Sequence, residues 1–166
     1  MSVARVWAFI ERLVLAALVG LFAVMVLACT AQVVWRYLFN DPLVWSEELA
    51  RYVFIWISYL SAWVAWKSRS HIALDAVTYL NSPAMNAWTN RIVEVLVVGY
   101  CLYTLLASFQ IVGITHSQPS AVLELPMSVV YSGYSAMALL ITGDIIVGWL
   151  SGARPEVAPQ TLATEV

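Results

Sequence analysis

Long apolar stretches separated by short polar ones form the main pattern of this chain. Leu13 to Val34 supplies about 22 residues without a charge, enough at about 1.5 Å per helical residue to cross a hydrocarbon core of about 30 Å. Three further apolar stretches follow, at about 52–66, 92–114 and 126–150. The second is short, but Arg51 and Lys67 flank it with long side chains whose charged ends reach the headgroups. The pattern predicts an all-α integral membrane protein with four transmembrane helices in one domain, residues 1–150.

The polar stretches predict short loops, with one longer connection and a tail. Within the connection 67–91, Ile72 to Leu80 is apolar enough to form a helix on the membrane surface. Ser82-Pro83 has the pattern of a helix cap followed by Pro at the first helical position, so the third helix is expected to begin before the bilayer does. Residues 151–166, rich in Ala, Pro and Thr, are predicted to form a disordered tail.

Positive charges are distributed unequally between the two ends of the predicted bundle. The side that carries the termini and the long connection has Arg5, Arg12, Lys67, Arg69, Arg91 and Arg154. The opposite side has only Arg36 and Arg51. Because cytoplasmic segments carry the excess of Lys and Arg, both termini are predicted to be cytoplasmic and the segment from Arg36 to Arg51 to face outward.

The composition agrees with a membrane protein and narrows its partners. Hydrophobic residues make up 62% of the chain and charged residues 11%, against about 45–50% and about 25% in globular domains. The formal net charge of −2 argues against a nucleic-acid partner, which requires a basic face. Cys29 and Cys101 lie deep in apolar segments, and neither a disulfide framework nor a metal pair is predicted.

Residue patterns that would support catalysis are missing from the sequence. It has no nucleophile and base arrangement, no Gly-rich phosphate loop and no Cys-rich metal spacing. His71 and His116, the two histidines, fall on opposite membrane faces of a four-helix bundle, so they cannot hold one haem or metal together. The chain is therefore predicted not to be an enzyme, with no catalytic residue, no metal site and no cofactor.

Glu94 and Asp144 are the acidic residues within the third and fourth apolar stretches. Acids inside a membrane span are candidates for ion or proton sites. These two could lie at comparable depth and serve a small ion-coupled transporter or channel that acts alone. The alternative is that both reach headgroup water or that Glu94 pairs with Arg91, three residues earlier.

The segment from Arg36 to Arg51 concentrates charges and turn formers between two apolar stretches. Asp41-Pro42 predicts a turn or a helix start, and Ser46 predicts a helix cap. Glu47 and Arg51 have the spacing of a helical ion pair. One interpretation of this outward segment is a binding surface for a partner protein, formed by Arg36, Asn40, Trp45, Glu47, Glu48 and Arg51. The other is that its aromatic residues anchor the chain at the membrane interface and its carboxylates are solvated.

Aromatic residues recur at steps of four and three along the second helix. This aromatic ridge consists of Tyr52, Trp56, Tyr59 and Trp63, all on one helix face. Aromatic belts normally lie at the two interfaces only, so the ridge is predicted to be a lateral docking surface for another membrane protein. Packing against lipid or neighbouring helices is the alternative. Ser58, Ala62 and Ala65 lie on a different face, which is predicted to pack within the bundle.

The run RYLFN, then P, then WSEELARYVFIW, followed by HIALD, resembles the small membrane subunit of tripartite ATP-independent periplasmic (TRAP) transporters, the DctQ-like family. The matching positions of this stretch are Arg36, Asn40, Pro42, Trp45, Ser46, Glu47, Glu48, Arg51, His71 and Asp75. A second, weaker stretch matches at Ser120, Leu123, Pro126, Met127 and Tyr131.

The resemblance implies a role in transport across a bacterial inner membrane. In this family a soluble periplasmic binding protein captures an organic acid or similar solute, and a large multi-span membrane subunit moves it with an ion gradient, commonly sodium. The small subunit is expected to scaffold the large one in the lipid bilayer and to help dock the binding protein. The resemblance further implies a structural role for Pro42, Ser46, His71, Asp75, Pro126 and Tyr131.

Overall fold

Four long helices make up the computed structural model, which describes residues 3–68 and 83–151. They are α1 (Val3–Val34), α2 (Val44–Lys67), α3 (Pro83–Thr115) and α4 (Met127–Ser151). Each contains a segment long and apolar enough to cross a membrane. The prediction of an all-α protein with four transmembrane helices is confirmed. The predicted surface helix, together with His71 and Asp75, and the predicted tail at 152–166 lie outside the described residues.

The starts of α2 and α3 show how Pro sets a helix boundary. α3 begins at Pro83, as predicted, because Pro at the first helical position loses no needed N–H donor. α2 begins at Val44, and the preceding Leu43 has an extended backbone without a side-chain cap. Ser46 lies inside the first turn, where its hydroxyl donates a hydrogen bond of 2.6 Å to the Leu43 carbonyl. The prediction of Ser46 as the cap is therefore wrong.

The connection from α1 to α2 is short and sharply turned. α1 continues into a π-helical turn, Trp35–Phe39, and ends at Asn40, whose φ of 54° lies in the left-handed region. Asn tolerates this conformation better than most residues, so it terminates the helix here. Asp41 and Pro42 then lie in the exposed connection, so this dipeptide forms part of the turn and does not start the helix.

The helices pack in the order α1, α2, α4, α3, and α1 makes a smaller contact with α4. α2 and α4 therefore occupy the centre of the bundle, and α1 and α3 lie at its two edges. The buried core contains Val14, Leu60, Trp63, Cys101, Ala138, Ile141 and Ile145. Most large apolar side chains of the two edge helices remain exposed, as expected where lipid or another membrane protein covers them.

The aromatic ridge of α2 packs inside the bundle. Trp63 is fully buried and meets Trp7 of α1 edge to face, with ring centroids 6.4 Å apart. Tyr59 makes the same kind of contact with Tyr134 of α4, at 5.5 Å. The Trp56 indole donates a hydrogen bond of 3.2 Å to the Val129 carbonyl. Contacts with α1 and α4 of the same chain thus bury Trp63 and cover part of Trp56 and Tyr59, which favours packing within the bundle, and a role of the ridge in lateral docking stays a prediction.

Gly133 is the residue of α4 that lets the ridge approach so closely. A Cβ atom at this position would lie 3.2 Å from Tyr59 and 3.3 Å from Trp56. The assignment of the small-residue face of α2 to internal packing is wrong, since Ser58 and Ala62 are exposed. The physical cause is that large rings bury more area in a helix contact than small side chains do, and a glycine on the facing helix makes room for them.

Candidate functional site

The site predicted at the outward segment lies at the end of the bundle that carries the α1–α2 connection and the α3–α4 loop, residues 116–126. We call this the loop end, and the opposite end the termini end. Glu48 of α2 connects the two parts of the loop end. One carboxylate oxygen accepts hydrogen bonds from the backbone N–H groups of Val122 at 2.8 Å and Leu123 at 3.0 Å, and the other accepts one from the Tyr52 hydroxyl. Hydrogen bonds to an ionised acceptor are the stronger kind, so Glu48 holds the loop against α2.

The α3–α4 loop also closes on itself. The Ser120 N–H donates to the Leu125 carbonyl at 2.9 Å, and the Leu125 N–H donates to the Ser120 hydroxyl at 3.1 Å. A further bond of 3.0 Å joins the Met127 N–H to the Gln118 carbonyl. Glu124 turns the chain with a φ of 52°. The loop is therefore a compact hydrogen-bonded turn that presents the Val122 and Leu123 amides to Glu48.

Pro126 and Tyr131 lie where this loop joins α4. Pro126 directly precedes the helix, and its carbonyl accepts a hydrogen bond of 3.0 Å from the Val129 N–H. Tyr131, one turn into α4, is 43% exposed. His116, which follows α3, lies 3.2 Å from the Ser128 hydroxyl through Nδ1. The matched residues of the weaker stretch thus belong to the start of α4 and to the loop that Glu48 holds.

The other predicted partner-binding residues lie on the surface, in the α1–α2 connection or within a turn or two of it along the chain. Arg36, Asn40, Trp45, Glu47 and Arg51 are all exposed. Glu47 accepts a hydrogen bond of 2.8 Å from the Gln32 side chain of α1. The prediction of a Glu47–Arg51 ion pair is wrong, because the nearer partner comes from the neighbouring helix. Within residues 3–68 and 83–151, neither Arg36 nor Arg51 forms a salt bridge.

This arrangement gives the loop end a rigid interior and a polar rim. Glu48 and Ser46 are buried, and they fix the start of α2. Arg36 precedes the connection between α1 and α2 along the chain and Arg51 follows it, and both are exposed. Such a surface can recognise a protein through charge and hydrogen bonds. No group of three or more His, Cys, Asp or Glu side chains in the described part of the chain could hold a metal ion.

The acids of the apolar stretches lie toward the termini end, and each has its own indole partner. Asp144 accepts a hydrogen bond of 2.8 Å from Trp7 of α1. Glu94 accepts one of 2.7 Å from Trp149 of α4 and lies 3.6 Å from Arg91, which confirms the predicted Arg91–Glu94 pair. These contacts satisfy the two carboxylates separately. They do not form one shared site.

Two further contacts at this end were not predicted from the sequence. Lys67, the last residue of α2, forms an ion pair with Glu11 of α1. Its ammonium group also lies 5.6 Å from the centre of the Trp63 ring, a cation–π distance. Together with the Trp7–Asp144 bond, these contacts hold the first turns of α1 against α2 and α4.

Glu48 was predicted as a surface contact, and its buried role went unrecognised. The sequence does contain a signal for it. Glu48 precedes Tyr52 by four residues, so it continues the helix face of the aromatic ridge, whereas Glu47 lies about 100° away around the helix. A carboxylate on the packed face of a helix needs an internal donor. The identity of that donor depends on a loop 74 residues away, which spacing does not reveal.

Comparisons with known proteins identify the family that this chain resembles. Residues 25–153 match the family model described as the DctQ component of tripartite ATP-independent periplasmic transporters. The chain is 28% identical over 129 residues to the sialic acid TRAP transporter small permease protein SiaQ of Vibrio cholerae, covering 78% of this chain and 72% of that protein. The match to the family model includes the whole loop end.

Two longer relatives match a smaller part of their own length. The sialic acid TRAP transporter permease protein SiaT of Haemophilus influenzae is 37% identical over 67 residues, 40% of this chain and 11% of that protein. The isethionate TRAP transporter permease protein DctMQ of Oleidesulfovibrio alaskensis is 32% identical over 108 residues, 61% of this chain and 17% of that protein. This chain thus spans about a tenth and a sixth of those two permeases. With a family match that extends over most of its length, the chain belongs to the DctQ component family of TRAP transporters and is a multi-pass protein of the inner membrane.

Proposed function

We propose that this chain is the scaffolding subunit of a complete transporter, in which its loop end forms part of the landing surface for a periplasmic solute-binding protein. The complex takes up an organic acid or similar solute and uses an ion gradient to do so. The subunit itself carries out no catalytic step and is not an enzyme. Its contribution is a rigid body in the membrane, against which the transport part of a large permease subunit moves.

The observation that carries this proposal is the bond set of Glu48. A buried carboxylate with three donors from two chain segments fixes the loop end in one shape. A partner that lands on a preformed surface loses less conformational freedom on binding than one that must order it first. The exposed residues around this rigid centre, Arg36 and Arg51 among them, are then available for a partner.

The two long relatives support a large membrane partner. In both, a segment like part of this chain is a small fraction of one permease polypeptide. A unit of which part occurs within a larger permease, and which occurs as a separate small permease in another protein, is expected to contact the same large part in both arrangements. The partner of this chain is thus a large permease subunit of many spans.

The orientation follows from the placement of positive charge. The six Lys and Arg residues of the termini side, against two on the loop side, favour cytoplasmic termini. In that orientation the loop end faces the periplasm, where a solute-binding protein can reach it. The unit formed by residues 1–150 would act as one domain, followed by the cytoplasmic tail.

A second candidate function, a stand-alone ion-coupled transporter or channel, depended on Glu94 and Asp144 lying in one site. Their separate bonds to Trp149 and Trp7 support structural roles instead. The outcome that would restore this candidate is specific: ion flux into liposomes that contain this chain alone, abolished by Asp144→Asn.

The proposal is tested by the association of the partners. The chain is reconstituted in nanodiscs with the large permease subunit of its own transporter, and the purified binding protein of that transporter is flowed over them. We expect Arg51→Glu to slow association about tenfold at low salt, because rim charges mainly govern the encounter rate.

Arg12→Glu, an exposed site at the termini end, is the matched control and should leave the rate unchanged. Equal rates for Arg51→Glu and the parent would refute the landing surface, and loss of the large subunit in that variant would make Arg51 structural.

A further inference from the structure

The face of α3 that points away from the bundle carries a regular stripe of exposed residues. α3 packs on α4 through the face that buries Cys101 and Ser108. On the opposite face, positions at steps of four and three lie within about 100° of one another around the helix. We call these residues the α3 stripe: Ile92, Leu96, Gly99, Tyr103, Leu106, Gln110 and Gly113. All of them are exposed.

Two members of the α3 stripe carry polar groups without a partner. Tyr103 is 73% exposed, and Gln110 is exposed about two turns further along. Neither side chain makes a hydrogen bond within residues 3–68 and 83–151. Two other polar side chains of the same helix are satisfied: the Thr104 hydroxyl donates to the Tyr100 carbonyl at 2.6 Å, and Ser108 bonds Ser135 at 2.6 Å. Lipid tails offer Tyr103 and Gln110 no hydrogen-bond partner.

The other edge helix, α1, shows what a face suited to lipid looks like. From Leu13 to Ala28 it has no side chain that forms conventional hydrogen bonds. Its polar residues nearer the loop end are satisfied within the chain: Thr30 donates to the Val26 carbonyl and Gln32 to Glu47, both at 2.8 Å. The contrast between the two edges indicates that α1 contacts lipid tails and that α3 contacts protein.

The shape of the α3 stripe also suits a helix partner. Nothing lies within 4 Å of a Cβ atom built at Gly99 or at Gly113, so both positions leave room on the outer face. Small residues at a membrane interface let two backbones come close, and polar side chains beside them form hydrogen bonds between helices. The steps of four and three continue over six turns, which is the spacing of a long helix-to-helix contact.

From these observations we propose that the α3 stripe is the surface on which a transmembrane helix of the large permease subunit packs, and that this helix supplies hydrogen-bonding side chains at the depths of Tyr103 and Gln110. The inference rests on the proposed function, since it names the face that the large subunit uses. The occupant follows from polar complementarity and from the long relatives, in which most of the permease lies beyond the part this chain matches. The loop end and the stripe then serve different partners.

Photo-crosslinking tests the position of the partner. Benzoylphenylalanine replaces Tyr103 in one variant and Phe22 in another, where Phe22 is a 56% exposed aromatic residue of α1 and serves as the matched control. Each variant is co-expressed with the large permease subunit of its transporter and irradiated in native membranes. We expect a crosslink to the large subunit from position 103 and none from position 22.

Other results overturn the inference in distinguishable ways. A crosslink from position 103 to a second copy of this chain would identify a homodimer surface, and a crosslink to the large subunit from position 22 alone would place the interface on α1. In either case, co-purification of the large subunit with the unsubstituted chain would leave the proposed function standing. Failure of that co-purification would refute the proposed function itself.

A second measurement tests whether the polar groups of Tyr103 and Gln110 contribute to retention of the large subunit. Tyr103→Phe combined with Gln110→Leu keeps the volume of the stripe and removes both unpartnered groups. We expect the double variant to retain several-fold less large subunit after a detergent wash, whereas Phe22→Leu retains the parental amount. Full retention by the double variant would exclude hydrogen bonds at these two depths.

Discussion

The carboxylate of Glu48, in the second turn of α2, accepts a hydrogen bond of 2.8 Å from the backbone N–H of Val122 in the α3–α4 loop. This bond joins the two halves of the chain at the loop end, because α1 and α2 precede it and α3 and α4 surround the loop. The same oxygen also accepts the N–H of Leu123. A single side chain therefore satisfies two backbone donors that the loop leaves without a carbonyl partner.

Replacement of Glu48 tests how much of the loop's order depends on it. Glu48→Ala removes the acceptor of two backbone N–H groups. These donors then lie away from water without a hydrogen bond, so the free energy spent on removing them from water is no longer offset. We expect the free energy of unfolding to fall by several times the change caused by Glu47→Ala, which removes one exposed side-chain bond. Unfolding of the purified chain in mixed micelles with increasing SDS measures both variants. If the two variants lower the free energy of unfolding equally, water replaces the Glu48 carboxylate as the acceptor without loss of stability.

The sequence predicted the number of helices and most of their positions, because continuous apolar length is a strong signal for a membrane span. Pro83 also marked the start of α3 correctly. Individual faces were harder to assign. In a soluble protein polar residues identify the exposed face of a helix, but in lipid both the packed and the exposed faces are apolar. For this reason the regular spacing of Trp56, Tyr59 and Trp63 identified a ridge without showing how much of it packs against α1 and α4.

The contacts that build the loop end and the termini end were mostly not predictable. The Arg91–Glu94 pair was found from the sequence because both residues lie on one helix. The partners of Asp144 and Glu48 belong to other helices and loops, at separations of 137 and 74 residues. Only the tertiary arrangement brings such groups together, and one sequence contains no local signal for it.

Trp63 provides a test of how much the aromatic ridge contributes to packing within the bundle. Its side chain is fully buried, whereas Trp88 of α3 is 73% exposed. Trp63→Ala is expected to lower the free energy of unfolding by about 3–5 kcal/mol, because a large cavity opens between α1, α2 and α4. Trp88→Ala should change it by no more than about 1 kcal/mol. SDS unfolding of the isolated chain distinguishes the two, and a Trp63→Ala variant that is as stable as the parent but no longer retains the large permease subunit would support the docking prediction instead.

The Lys67–Glu11 ion pair is expected to contribute little to stability. Both side chains are about one-third exposed, and ion pairs in contact with solvent are typically worth about 0.2–1 kcal/mol. A double-mutant cycle with Glu11→Gln and Lys67→Met should give a coupling energy in that range, and the coupling should shrink as salt is raised. A coupling well above this range that resists salt would show that the membrane shields the pair from water.

Gly143 is expected to be essential for the contact between α1 and α4 at the termini end. A Cβ atom at this position would lie 2.6 Å from the Trp7 ring, which is closer than atoms can approach. Gly143→Ala must therefore push Trp7 aside and weaken its bond to Asp144, at a cost of about 1–3 kcal/mol in the free energy of unfolding.

Gly148→Ala on the same helix is the matched control: its Cβ meets nothing within 4 Å, so the better helix propensity of Ala should leave stability equal or slightly higher. If both variants unfold at the same SDS fraction as the parent, Trp7 has another position that serves equally well. A loss confined to Gly143→Ala, and absent when it is combined with Trp7→Ala, would show that the clash with this one ring is its cause.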